Sequence, residues 1–315
     1  MQRIQPITGQ GRALLFIAAL LQLTACRAAP PANPSFNDAI QFAFRDFETE
    51  EPARLAFALR QLERELYLGV DIEASNNLNR SLTPAELSED DLIGLEHPGR
   101  DVSTAQPLAL ATLSQHPIER HRQIPLLLDQ RPVEPGSPDY YERSFLAGTE
   151  ACWEQRGCEF LRTVNDLTKD NILLTITYTL PKDYRWIDLA LPDPASEPSP
   201  DAQPAESRWA YIARSWTTDR AVDESNDRAI EQSYSFEIWL PRDGRGFLRD
   251  GSEANAGEGD WTSDSSGGGT LRMIALWAET EIGADLSEEL VAYATRGGVD
   301  DIFTAQEDWL DQSLE

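Results

Sequence analysis

The chain has 315 residues, with 54 acidic against 27 basic side chains and a formal net charge of −27. A surface of that sign repels nucleic acid, which excludes it as a partner, and argues against peripheral docking on anionic headgroups. The length suffices for one large domain or two small ones.

Residues 1–25 have the layout of an export signal. Arg3 and Arg12 flank the start, and Ala13 to Leu21 form an unbroken apolar run. That run is shorter than the ~20 apolar residues a bilayer span requires. Leu23-Thr24-Ala25-Cys26 follows. This stretch resembles the lipobox of bacterial lipoproteins, in which a leucine, two small residues and a cysteine mark the cut. The resemblance implies cleavage before Cys26, a diacylglyceryl group on its sulfur and a further acyl chain, such as palmitate, on its nitrogen. Several acyl chains together hold firmly where one binds marginally. It also implies a cell-envelope protein, and Arg27 in place of an aspartate points to the outer membrane, facing the periplasm. Residues 26–34 are then the acylated cysteine and a short proline-rich tether.

Residues 35–138 read as a mainly helical N-terminal region. Ser35 can cap a helix carrying Ile40, Phe44 and Phe47. Pro52 restarts a second helix with Leu55, Leu59, Leu62 and Leu66 on one stripe. Thr83-Pro84-Ala85-Glu86 has the form of a capping box and predicts a short third helix from about Leu87 to Ile93. Residues 94–138 fit neither helix nor strand cleanly.

Residues 139–315 read as an antiparallel α+β domain. Period-two alternation marks strands at 171–180, 184–191, 207–216, 229–240 and 270–280, with edges near 142–147 and 159–165. Pro181-Lys182-Asp183 reads as a tight turn between the first two. The fold class predicted is α+β: an antiparallel meander, curved or a partial barrel, with N-terminal and C-terminal helices. Arg296-Gly297-Gly298 is expected to split the last helical stretch. The connections 192–207, proline-rich, and 241–269, acidic and glycine-rich, are expected to be disordered.

Cys152 and Cys158 are too far apart for a C-x-x-C redox motif and suit a structural disulfide in an oxidising compartment. Such a small ring is worth roughly 2–2.5 kcal/mol. The three histidines, His97, His116 and His121, lack metal-ligand spacing. Acids from Asp243 to Asp264 lack a calcium-loop register and read as a solvated hairpin tip. No nucleophile elbow, P-loop or dinucleotide fingerprint occurs. No catalytic residue, cofactor or metal is expected.

One pattern points to a ligand. Arg185, Arg214 and Arg272 each share a strand face with large apolar neighbours. If those faces coincide, they form a cationic spot beside Trp216 and Trp277, suited to an amphiphile with an acidic head. The order of elements from 140 to 311, a meander and then a C-terminal helix, is similar to START-like helix-grip domains, over about half the chain. That likeness implies a hydrophobic ligand held between sheet and helix. The function expected is a binding lipoprotein for a hydrophobic or amphiphilic small molecule. The alternative is a structural or protein-interaction lipoprotein with no ligand site, its partner unidentified.

Overall fold

The structure, a computed structural model, describes residues 35–69, 80–170, 175–195, 206–225, 227–242, 246–247, 253–254, 268–282 and 288–313. Cys26, the signal and the tether lie outside the described residues. So do most of the 192–207 and 241–269 connections.

Helix α1 (Phe36–Arg45) opens on a reciprocal cap. The Ser35 hydroxyl accepts from the Asp38 amide at 3.3 Å, and the Asp38 carboxylate accepts from the Ser35 amide at 3.0 Å. Helix α2 (Pro52–Gly69) starts on proline, whose missing N–H costs nothing in the first turn. The segment Thr83 to Ser88 does not become the expected helix. Its backbone is claimed by other partners: Ala85 donates to Asn37 Oδ1 at 3.1 Å, and Glu86 and Ala85 carbonyls accept from Gln41 and Trp277. Only a 3₁₀ turn, Glu89–Leu92, follows.

The strands are β1 (Arg80–Leu82), β2 (Gln106–Ser114), β3 (Tyr141–Ala147), β4 (Leu161–Asp170), β5 (Thr175–Asp188), β6 (Trp209–Trp216), β7 (Ala221–Val222), β8 (Ala229–Arg242), β9 (Gly246–Phe247), β10 (Glu253–Ala254) and β11 (Gly269–Glu281). Short helices α3 (Ile118–His121) and α4 (Glu150–Glu154) and the long α5 (Glu288–Gln312) complete the list. The predicted class is what the chain forms: an α+β fold on an open antiparallel sheet, with helices at both ends of the chain. The sheet runs β1-β2-β11-β8-β6-β5-β4-β3, with β7 paired to β8; β9 and β10 pair with each other. From β3 to β11 this is a meander.

Three expectations meet different outcomes. The region 35–138 is not only helical: β2 pairs with β11 from Gln106 to Ser114. Its helices α1 and α2 share one continuous core with β5, β6, β8 and β11. Pro181-Lys182-Asp183 is not a turn. It lies inside β5, and pairing with β6 begins only at Lys182, so Pro181 sits where β5 has a neighbour on one side alone. Arg296-Gly297-Gly298 does not split α5. Helix-interior glycine costs ~1 kcal/mol apiece, while Val299 and Phe303 just beyond anchor the helix on Leu110 and Ile274. Packing outweighs propensity.

Alternation divides the sheet into two faces. Ile212, Phe236, Ile238, Leu271 and Trp277 face α1 and α2 and close a dense core with Phe44, Leu55 and Leu59. The opposite face is filled at one end by Trp153, Trp186, Tyr211 and Trp239. Trp153 comes from α4, next to the Cys152–Cys158 disulfide, whose Cα atoms are 5.1 Å apart. The other end of that face lies beneath α5.

Candidate functional site

Between the sheet and the N-terminal half of α5 lies a cavity of about 550 Å³. That is within the ~300–1,000 Å³ usual for small-molecule sites. Its floor is Leu180, Lys182, Ser215, Ser235, Ile274 and Leu276; Val291, Ala294 and Val299 of α5 form the wall. Tyr141, Leu167, Tyr178 and the 134–137 turn form the far side. Gly297 and Gly298 also line it, and a methyl group on either would meet no heavy atom within 4 Å. The two glycines therefore put no side chain into this part of the lining.

The floor is apolar except for one patch. Lys182, Ser215 and Ser235 are direct cross-strand partners on β5, β6 and β8, so sheet register alone sets them in a row. Glu237 follows two residues after Ser235 on the same face. The Lys182 Nζ donates to Glu237 Oε1 at 2.6 Å, Ser235 Oγ donates to the same oxygen at 3.3 Å, and the Ser215 and Ser235 hydroxyls are 2.7 Å apart. Lys182 and Glu237 are 7% and 6% exposed. Burial is the largest influence and works against the ammonium, but Glu237, with smaller help from Tyr184, Glu134 and Tyr141, more than offsets it and raises the Lys182 pKa, so the ammonium is kept. The chain has two lysines among its 27 basic residues, and both, Lys169 and Lys182, line this cavity.

The five residues singled out from the sequence lie elsewhere. Arg185 and Arg214 are on the α1/α2 face, where they serve the end of α1. Arg185 donates to the Phe47 carbonyl at 2.7 Å, and Arg214 donates to the Phe44 carbonyl at 3.3 Å and pairs with Glu48 at 3.2 Å. A helix C-terminus presents unpaired carbonyls and a partial negative charge, which buried guanidiniums satisfy. Trp216 lies under the Arg214 guanidinium, and Trp277 packs on Phe44 in the same core. Arg272 is on the opposite face. It donates to Gln306 Oε1 at 3.2 Å and pairs with Glu307 at 2.8 Å, which clamps the C-terminal half of α5 to the sheet. The three arginines thus do not share a face, and none of the five residues lines the cavity.

Sequence reasoning passed over Lys182 because Pro181 suggested a turn there. The rarity of lysine was the available signal.

Among the described residues, no group of three or more His, Cys, Asp or Glu side chains gathers as for a metal ion. His121 Nε2 lies 2.7 Å from Ser114 Oγ, the arrangement of a base and a nucleophile. Both are sealed, at 0% and 1% exposure. Burial, reinforced by the nearby Arg272 charge, pushes the His121 pKa far down. His116 Nε2 contacts Asp311 of α5 at 3.0 Å, a second tie beside the Arg272 clamp. No described helix is long and apolar enough to cross a membrane.

No protein-family model matches the sequence, and no curated protein is similar to it. Among solved structures, TTHA0849 from Thermus thermophilus aligns at 11% identity and a TM-score of 0.36, over 66% of this chain and 99% of that one. Ara h 8.0201 aligns at 12% identity and 0.32, over 66% and 99%. A protein from Arthrobacter aurescens, solved by NMR, aligns at 10% identity and 0.29, over 68% and 90%. Likeness of this degree transfers no residue and no activity.

Proposed function

We propose that this chain is a binding module for a hydrophobic or amphiphilic small molecule, held between the sheet and α5. The observation that carries the reading is the cavity itself: about 550 Å³, with a mostly apolar lining, one buried polar patch on its floor, and Glu134, Lys169, Asp170 and Asp301 also among its lining residues. An apolar site with a few convergent polar groups is the usual form of a small-molecule pocket. The sheet's other face is packed by α1 and α2.

The test is saturable binding of the neutral fluorophore N-phenyl-1-naphthylamine to the solvent-extracted protein. Native mass spectrometry of the unextracted protein is the companion measurement. We expect one bound probe per chain, lost in Ala294→Trp, which puts an indole into the cavity, with the circular dichroism spectrum kept. A native-like Ala294→Trp variant that still binds the probe, or a wild type that binds none, overturns the reading.

We further propose that the protein is held in the cell envelope, at the outer membrane, by acylation at Cys26. Arg3 and Arg12, the Ala13 to Leu21 run and the Leu23 to Cys26 motif support this. Radiolabelled palmitate should enter the wild type and not Cys26→Ser. An unlabelled wild type in a host that acylates other lipoproteins sinks the anchor, and leaves the cavity reading untouched.

A further inference from the structure

We propose that the polar patch of this cavity selects a neutral head group that both donates and accepts hydrogen bonds, such as a hydroxyl or a primary amide. It does so in preference to a carboxylate or an ammonium on the same chain. The inference rests on the binding reading above and specifies its ligand.

Lys182, Glu237, Ser215 and Ser235 are all more than nine-tenths buried, at 7%, 6%, 5% and 8% exposure, and all line the cavity. An ammonium has three N–H groups. Among the described contacts, Lys182 uses one, on Glu237 at 2.6 Å. The Tyr184 ring, its centre 5.4 Å from the Nζ, can take a second, and the third remains for an acceptor that enters the cavity. Glu237 is an acceptor only; with Ser235 donating to it, Ser215 donates to Ser235 and its own oxygen is left to accept. A hydroxyl or amide head matches that set, since it can accept from Lys182 while it donates to Glu237 or to a serine.

An ionic head does not match. The two charges already compensate one another at contact distance, so the patch has no net charge to offer. A carboxylate brought to Lys182 also comes beside Glu237, and an ammonium brought to Glu237 comes beside Lys182. In a site of low dielectric constant, each like-charge contact is costly and each new charge must also be desolvated. The charges elsewhere in the lining do not favour an anion: Lys169 is one cation against three acids, Glu134, Asp170 and Asp301. The acidic head expected from the arginine pattern therefore enters a lining in which carboxylates outnumber lysines.

The experiment is displacement of N-phenyl-1-naphthylamine from the extracted protein at pH 7 by four twelve-carbon amphiphiles: dodecanol, dodecanamide, laurate and dodecylammonium. Dodecanol and dodecanamide should displace it at concentrations about tenfold or more below those of the two ions. Laurate or dodecylammonium competing equally well or better overturns the proposal, as does failure of all four against a probe that binds. Failure of the probe itself to bind overturns the binding reading instead.

Two variants locate the selector. Glu237→Gln leaves Lys182 uncompensated and should shift preference toward laurate by about tenfold. The double variant Lys182→Met with Glu237→Leu keeps an apolar, charge-free floor should the single variant fail to fold. It should erase the advantage of the neutral heads. A folded double variant that still prefers them places the selectivity elsewhere and sinks the proposal.

Discussion

The two faces of the sheet are built from the same strands, by the same alternation, and they handle charge differently. Facing α1 and α2, the inward side chains are aliphatic and aromatic, and the arginines among them reach helix-end carbonyls at Phe44 and Phe47. Every charge there has a fixed structural partner. Facing α5, the same strands present Lys182, Glu237, Ser215 and Ser235, bonded to each other beside open space. A dense face needs only shape complementarity. A face with a buried ion pair needs a reason to keep it, because apolar residues of similar volume often stabilise as well or better.

The sharpest way to break this comparison is to remove one member of the pair. Lys182→Met leaves the Glu237 carboxylate buried without its cation and should cost about 3–5 kcal/mol in urea unfolding. Adding Glu237→Leu should return stability to within ~1 kcal/mol of the wild type or above it. A single variant that costs nothing would mean that Glu237 finds water or another partner, and that this end of the sheet is open. A double variant as unstable as the single would mean that the pair holds the fold together. Its retention would then need no ligand to explain it.

The densely packed face was largely legible in the sequence; the face with the cavity was not. Leu55, Leu59, Leu62 and Leu66 at helical spacing, and the apolar alternation of β6, β8 and β11, identify a core because burial of such side chains needs only periodicity. The arginines were visible too, but alternation gives the parity of a residue within one strand and not the face that strand shares with its neighbours. That depends on register across β5, β6, β8 and β11, which places Arg185 and Arg214 opposite Arg272. Local rules also misjudge positions where tertiary contacts are stronger. Pro181 suggested a turn but lies in a strand, Gly297 and Gly298 suggested a break but lie in a helix, and Thr83 to Glu86 suggested a helix but bond to α1 and Trp277. Two of those three misreadings concealed lining of the cavity. Sites that depart from local propensity are where function is to be expected.

Two alanines of β11 sharpen the comparison with a smaller effect. Ala275 is wholly buried in the core with α1 and α2, while Ala278, three residues on and facing the other way, lines the cavity. Ala275→Leu must displace packed neighbours and should lose about 1–3 kcal/mol. Ala278→Leu extends into open space, so its stability should stay within ~0.5 kcal/mol of the wild type. It should still weaken binding of N-phenyl-1-naphthylamine. Equal losses from both substitutions would show that the cavity closes in solution.

The smallest effect concerns the rim of the packed face, where charge meets solvent. Glu279 accepts from Arg100, Thr104 and Gln232, and the hydrogen bonds from Arg100 come first in pulling its pKa down from 4.5 to about 2. A carboxylate depressed on folding contributes stability that is complete above its unfolded pKa, near 4.5, and is lost as pH falls through 2. The contribution at neutral pH is about 1 kcal/mol, since Arg100 is 43% exposed and solvent screens the pair. Glu279→Gln should remove that amount at pH 7 and leave a flatter acid limb between pH 4.5 and 2, read by thermal unfolding across that range. If the variant keeps the wild-type acid limb, the acid sensitivity of this fold comes from elsewhere.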